Sequence, residues 1–142
     1  MKRLVILTVL ALCLAGCGEN ADSSSPEISS SGTVSEQSYD YVQISQEEAS
    51  EIMKSETCII LDVRTQEEFS QGHIPGAICI PNEEITTDPP AGLPDKDALI
   101  LVYCRSGRRS KEAAAKLAAM GYTDIREFGG IITWTGEVTE AE

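Results

Sequence analysis

Apolar positions follow three patterns along this chain, and each implies a different fate for the backbone. Behind the basic start Met1-Lys2-Arg3, residues Leu4 to Leu14 (LVILTVLALCL) form an unbroken apolar run of 11 residues. Such a run is too short to cross a bilayer as a helix and has the length of the apolar stretch of a secretory signal, so residues 1–16 are expected to be removed. From Gly18 to Ser38 the pattern vanishes: eight of 21 residues are serine, interspersed with Glu, Asp and Pro26. This composition buries too little apolar surface to offset the entropy of ordering, so residues 17–38 are expected to form a flexible tether spanning roughly 25 Å. From Tyr39 to Val138 apolar runs recur with strand and helix periods, which predicts one folded domain over residues 39–138 and an acidic tail at 139–142.

Within the domain the boundaries are marked by specific residues. Ser45-Gln46-Glu47-Glu48 is a capping-box pattern ahead of Ala49, Ile52 and Met53, which share one face of a helix. Thr57 to Val63 (TCIILDV) is a nearly continuous apolar run, expected of a strand covered on both faces. Thr65 and Glu68 repeat the capping box and place a helical turn (TQEEFSQG) immediately after it. Gly72-His73-Ile74-Pro75-Gly76 reads as a loop, Ala77 to Ile80 as a short strand and Thr86 to Lys96 as a Pro-rich surface connection. Asp97 to Tyr103 (DALILVY) predicts a second buried strand, ending at Cys104. The Ala-rich run from Arg108 to Met120 predicts a helix stopped by Gly121. Thr123 to Phe128 predicts another strand, and Gly129-Gly130 leads into a last helical piece holding Trp134. Strands alternating with helices predict an α/β fold with a mainly parallel central sheet and helices on both faces.

Composition narrows the function classes. With 11 Lys and Arg against 23 Asp and Glu, the net charge of −12 argues against a nucleic-acid partner, whose phosphates need a basic face. Loss of residues 1–16 removes Lys2 and Arg3 and leaves −14. The five cysteines, at 13, 17, 58, 79 and 104, lack the spacing of a disulfide scaffold or of a CxxC metal or redox pair, so neither a metal ion nor a cofactor is expected. Cys58 and Cys79 lie in apolar strands and read as small buried hydrophobes, with pairing to Cys104 left open. The oligomeric state is not legible.

One segment opposes the acidic background. Cys104-Arg105-Ser106-Gly107-Arg108-Arg109-Ser110 joins the end of a buried strand to the start of the long helix, where open α/β sheets place their ligand sites. Of nine Lys and Arg in the domain, four (Arg105, Arg108, Arg109 and Lys111) lie here. Inward-pointing amides and the helix dipole make such a turn an anion cradle, and the loop cations together with the helix N-terminus lower the pKa of Cys104. Cys104 is therefore the candidate nucleophile, and Arg105, Ser106, Gly107, Arg108 and Arg109 form the candidate substrate-binding loop. From the residues alone, a buried strand-end cysteine followed by a solvated arginine cluster is the alternative.

Two resemblances add to this reading. Leu14-Ala15-Gly16-Cys17 resembles the lipobox of bacterial lipoproteins. It implies that Cys17 is acylated, for example with palmitate, and becomes the first residue of a chain anchored on the outer side of the cytoplasmic membrane, or facing the periplasm where an outer membrane exists. The domain resembles a single-domain rhodanese, a sulfurtransferase, through three stretches in order. They are Leu61-Asp62-Val63-Arg64 to Phe69 with Gly72-His73-Ile74-Pro75-Gly76-Ala77, the loop from Val102 to Ser110, and Phe128-Gly129-Gly130-Ile131 with Trp134. The resemblance implies that Cys104 takes a sulfane sulfur from a small anionic donor such as thiosulfate and passes it from a persulfide to cyanide or a thiol. It also implies that the loop amides surround the persulfide while Arg105 and Arg108 meet the donor's sulfonate.

Neighbouring chemistries stay open. Cysteine phosphatases use C-x5-R, whose arginine clamps a tetrahedral anion bidentately. Here Arg109 falls one residue early and Ser110 takes its place, so phosphatase, arsenate reductase and a non-catalytic, membrane-tethered anion-binding module are the alternatives to sulfur transfer. Asp62 and Arg64 are expected to support the site by holding loops through charge-assisted hydrogen bonds, His73 to shape its turn, and Trp134 to form core or pocket wall.

Overall fold

The computed structural model describes residues 40–141, so the expected signal segment, Cys17 with its acylation, and the serine-rich tether lie outside the described residues. The strands are β1 (Val42–Gln43), β2 (Ile59–Asp62), β3 (Ile78–Cys79), β4 (Leu99–Cys104) and β5 (Asp124–Gly130). They lie in the order β1-β5-β4-β2-β3, and every pairing is parallel. Three α-helices, α1 (Gln46–Ser55), α2 (Gln66–Ser70) and α3 (Arg108–Ala119), and a 3-10 turn at Ile131–Thr133 complete the set. This is the α/β fold the sequence predicts.

The centre of the sheet goes to the most apolar strand. All of β4 except Leu99 is buried, so both of its faces need cover. Ile100, Val102 and Cys104 face one cluster, filled by Ala113, Ala114, Leu117 and Ala118 of α3. Leu101 and Tyr103 face the other, with Ala49 and Ile52 of α1 and with Phe128. The alternation of a strand thus decides that Cys104 ends β4 on the α3 side. Alanines on α3 keep that helix close to the sheet, which brings its N-terminus over the end of β4.

Element boundaries shift for physical reasons. The apolar run from Thr57 is regular only over Ile59–Asp62, the stretch that finds a ladder partner in β4. The edge strand at Ala77 shrinks to Ile78–Cys79. β5 runs two residues past Phe128, through the glycines. The last helical piece is a single 3-10 turn, with Trp134 just beyond it. β1, two exposed residues on the sheet edge, is too short to leave a period. At the helix starts, Ser45 Oγ accepts the Glu48 amide at 3.1 Å, and Thr65 with Glu68 forms a full reciprocal box. Gly121, at φ +90°, follows the last turn of α3.

Loops at the carboxyl ends of the strands are held by a buried ion pair. Arg64 Nη2 donates to Asp62 Oδ2 at 2.6 Å and to the Gly72 carbonyl at 2.7 Å, and the guanidinium lies 5.8 Å from the centre of the Tyr103 ring. Tyr103 Oη accepts from the Ile74 amide at 3.2 Å. The His73 ring stacks on Phe69 at 3.7 Å, and its Nδ1 lies 2.9 Å from the Phe69 carbonyl, so Nδ1 carries a proton. The chain returns after Val138 to pair with this loop, His73 and Thr139 exchanging two backbone hydrogen bonds of 2.8 Å.

Candidate active site

Cys104 sits at the end of β4 with 1% of its surface exposed. The next three residues reverse the chain into α3, and the turn closes on the sulfur: the Gly107 amide donates to Cys104 Sγ at 3.0 Å. Gly107 adopts φ +99°, a left-handed conformation that costs other residues energy. It is the N-cap of α3 and makes no side-chain cap, so the first amides of the helix stay available to an anion.

Burial alone would raise the Cys104 thiol. The Ser110 hydroxyl and the amides of Ser110, Gly107 and Ser106 outweigh it and hold the thiol below its ordinary value. The other described cysteines move the opposite way. Burial pushes Cys79 up to about 11, and burial with nearby Glu56 pushes Cys58 up. All three are free thiols.

Behind the loop stands a carboxylate. Glu127, 2% exposed on β5, accepts from Ser110 Oγ at 2.6 Å and from the Gly129 amide at 2.9 Å. Ser110 has one hydroxyl proton for Glu127, the Gly107 carbonyl at 3.0 Å and the sulfur, so the backbone amides are the donors that no rotation can withdraw. The register of β4 on β5 slips here, from Val102 opposite Glu127 to Cys104 opposite Gly130. Gly129, at φ +95°, takes up the slip, and Gly130 lies against the loop. A Cβ on Gly130 would clash with the Arg105 carbonyl oxygen.

The loop arginines are unequal. Arg109 is engaged bidentately by Glu68, at 2.7 and 2.8 Å. Arg108 is 77% exposed and paired with Glu112 along the helix at 2.8 Å. Arg105 has no carboxylate partner among the described residues and lines a cavity of about 540 Å³ with Arg64, Glu68, Ile131, Ile132 and Val138. The structure thus gathers Cys104, Arg105, Ser106, Gly107 and the buried Asp62–Arg64 pair at one end of the sheet. Arg108 and Arg109 do not line the cavity.

A family model described as Rhodanese-like domain matches residues 45–137. The chain belongs to the rhodanese-like domain family. Over 71 residues it is 41% identical to the thiosulfate sulfurtransferase PspE of Escherichia coli strain K12, covering 50% of this chain and 68% of that protein. It is 33% identical over 96 residues to the thiosulfate sulfurtransferase GlpE of Pseudomonas putida, covering 67% of this chain and 86% of the relative. Among solved structures, a rhodanese with anions from E. coli matches with TM-score 0.55 and 34% identity, over 60% of this chain and all (100%) of that one. The BH2092 protein from Bacillus halodurans matches with TM-score 0.61 and 32% identity, over 70% of this chain and 77% of that one.

Three contributors to this rhodanese-like site escape the sequence reading. Glu127 was legible in one respect: it shares strand phase with the buried Ile125, so an acid sits where an apolar residue is expected. Glu68 reads as a cap and is one, yet the same carboxylate also holds Arg109. Gly130 reads only as the lead into a last helical piece, whereas its backbone is extended, at φ −133°, and its lack of a side chain is what matters.

Gly130→Ala therefore destabilises the domain by about 1–3 kcal/mol in urea unfolding, through steric displacement of the loop. Gly76→Ala, where a Cβ meets nothing within 4 Å, costs only the strain of its φ of +81°, about 1–2 kcal/mol. Glu68 is held down to about 2 from 4.5, chiefly by Arg109, so its stabilisation is complete above pH 4.5 and fades as pH falls toward 2. Urea midpoints recorded across that window fall less steeply in Glu68→Gln than in the unaltered protein.

Proposed function

We propose that this rhodanese-like domain is a sulfurtransferase that carries a sulfane sulfur on Cys104. The observation that carries the reading is a buried cysteine kept acidic by the Ser110 hydroxyl and the backbone amides around it, where burial alone would make it inert. The names of the two thiosulfate sulfurtransferases it resembles support the same chemistry. The Cys104 thiolate attacks the outer sulfur of thiosulfate, the S–S bond breaks, and sulfite departs with the bonding electron pair. Sulfite is already a stable anion, so the step needs no general acid. This agrees with His73 having Nδ1 committed to the Phe69 carbonyl.

An anionic nucleophile meeting an anionic donor needs convergent positive partial charges, which the amides of the loop and the start of α3 supply. Arg105 receives the sulfonate, since Arg108 and Arg109 are occupied by Glu112 and Glu68. A thiol or cyanide then takes the outer sulfur and returns Cys104 to the thiolate, giving ping-pong kinetics. Against phosphate chemistry stands the position that C-x5-R assigns to an arginine: here it holds Ser110, with its hydroxyl on Glu127. We further propose that the domain is tethered outside the cytoplasmic membrane by acyl chains on Cys17, on the strength of the apolar run, the small residues and the cysteine that follows them.

Intact-mass measurement of the full chain after incubation with thiosulfate tests both statements. The expected spectrum shows one added sulfur atom, absent in Cys104→Ser, on a chain that starts at an acylated Cys17. No added sulfur, or addition that persists in Cys104→Ser, contradicts the transfer reading, and an unmodified Cys17 contradicts the anchor.

A further inference from the structure

Behind the reactive loop lies a carboxylate with no cation to answer it. Glu127 is buried and takes part in no ion pair among the described residues. Two donors converge on one of its oxygens, Ser110 Oγ at 2.6 Å and the Gly129 amide at 2.9 Å. An O–H···O contact as short as the first is typical of a charged partner. A buried charge without a counter-ion is costly, and an aliphatic side chain in this phase of β5, beside Ile125, would avoid that cost.

The neighbouring charges are engaged elsewhere. On β5 itself Arg126 is bound to Asp124, and on β1 the residue opposite Glu127 is the neutral Gln43. Arg108 and Arg109 of α3 are held by Glu112 and Glu68, Lys111 is exposed, and Arg105 lines the cavity with Arg64. α1 covers the other face of the sheet, with Glu47 and Glu48 exposed. The titratable groups on the α3 face are Tyr41 ahead of β1, Tyr122 beyond α3, whose hydroxyl donates to the Leu93 carbonyl, and Cys104 at the end of β4. Of these, Cys104 is the one that shares Ser110 with Glu127. Ser110 is fully buried, and its hydroxyl both meets Glu127 and helps to hold the Cys104 thiol down. A hydroxyl has one proton and cannot give it to a carboxylate and a thiolate at once. It can accept from the thiol while donating to the carboxylate. Once both protons have moved one place, it donates to the thiolate while accepting from the carboxyl group. Either arrangement leaves one negative charge in the core, whereas two charges would leave one of them without the hydroxyl.

We propose that Glu127 is a positioning residue for Cys104: acting through the Ser110 hydroxyl, it takes up the thiol proton when Cys104 becomes a thiolate. This rests on the reading of Cys104 as the nucleophile that carries the sulfur. The bond between Sγ and its hydrogen breaks, the proton joins Ser110 Oγ, and the Ser110 hydroxyl proton passes to Glu127 Oε1. The electron pair stays on the sulfur, and nothing is oxidised or reduced. A neutral carboxyl group then stands behind the thiolate when an anionic donor arrives, so the donor meets one negative charge rather than two.

The test alkylates Cys104 in the full-length protein with iodoacetamide at neutral pH and records the infrared difference spectrum. Alkylation removes the charge from the sulfur as iodide departs, and Glu127, no longer beside an anion, releases its proton to solvent. The expected spectrum loses a protonated-carboxyl band and gains carboxylate bands, and neither change occurs in Cys104→Ser or in Glu127→Gln treated in the same way. Labelling rates of Cys104 across pH, resolved by peptide mass, are expected to rise in two steps in the unaltered protein, because coupled groups lose their protons in two steps, and in one step in Glu127→Gln. A role of Glu127 confined to holding the loop would move a single step and leave the carboxyl bands as they were. An unchanged carboxyl region or a single labelling step in the unaltered protein overturns the proposal, whichever variants fold. Thiosulfate loading is followed in parallel by intact mass. Failure to load overturns the reading of Cys104 as the sulfur carrier, and loading without the carboxyl change overturns the role of Glu127 alone.

Discussion

The sulfur of a cysteine with 1% exposure can hold a negative charge only if protein dipoles replace the water it has lost. The rest of the structure serves that constraint at Cys104. The apolar residues of β4 demand cover on both faces, which places the strand centrally and sets Cys104 on the α3 side. The alanines of α3 bring its N-terminus close, and Gly107 turns the chain tightly enough for an amide to reach the sulfur at 3.0 Å. Gly129 and Gly130 then let the neighbouring strand slide past without pushing the loop away. Remove any of these and the sulfur keeps its burial while losing the donors that offset it.

A second layer of organisation is the pairing of charges. The chain is strongly acidic, and its acids serve as partners for the basic loop. Glu68 fixes Arg109 and Glu112 engages Arg108, which leaves Arg105 as the cation facing the cavity. Glu127 sits behind the loop and holds the Ser110 hydroxyl beside the sulfur, where that hydroxyl and the loop amides hold the thiol below its ordinary value. Around the site, Asp62 and Arg64 tie the β2 end to the Gly72 loop, and the Thr139 bridge holds the segment that carries Val138. Among the described residues, Arg105 is the one cation lining the cavity that has no carboxylate partner.

The architecture was legible wherever one period ran long enough to register. The runs at Ile59 and Leu99, the alanine-rich helix and the Thr65 capping box all appear close to where the residues place them. β1 was not legible, because two exposed residues carry no period and gain their partner only through a parallel pairing with β5 from the far end of the domain. At the site, composition marks the cysteine and its loop, since backbone amides and helix starts follow from local sequence. Composition does not separate three arginines of one loop. Their difference is set by carboxylates at positions 68 and 112, the first brought over by the fold from 41 residues away. Gly130 was legible as a glycine but not for its reason, which is an approach of the 105–106 backbone that no local pattern announces.

The central claim is that the hydrogen-bond donors of the loop and the start of α3 outweigh burial at Cys104, and the pH dependence of its alkylation tests this most directly. Rates of iodoacetamide labelling, resolved by peptide mass to separate Cys104 from Cys58 and Cys79, are recorded across pH in the folded and the urea-unfolded protein. The account predicts a folded-state midpoint for Cys104 below that of the unfolded chain, so that its thiolate persists to lower pH once the loop has formed. A folded midpoint at or above the unfolded one, the result burial alone would give, contradicts it.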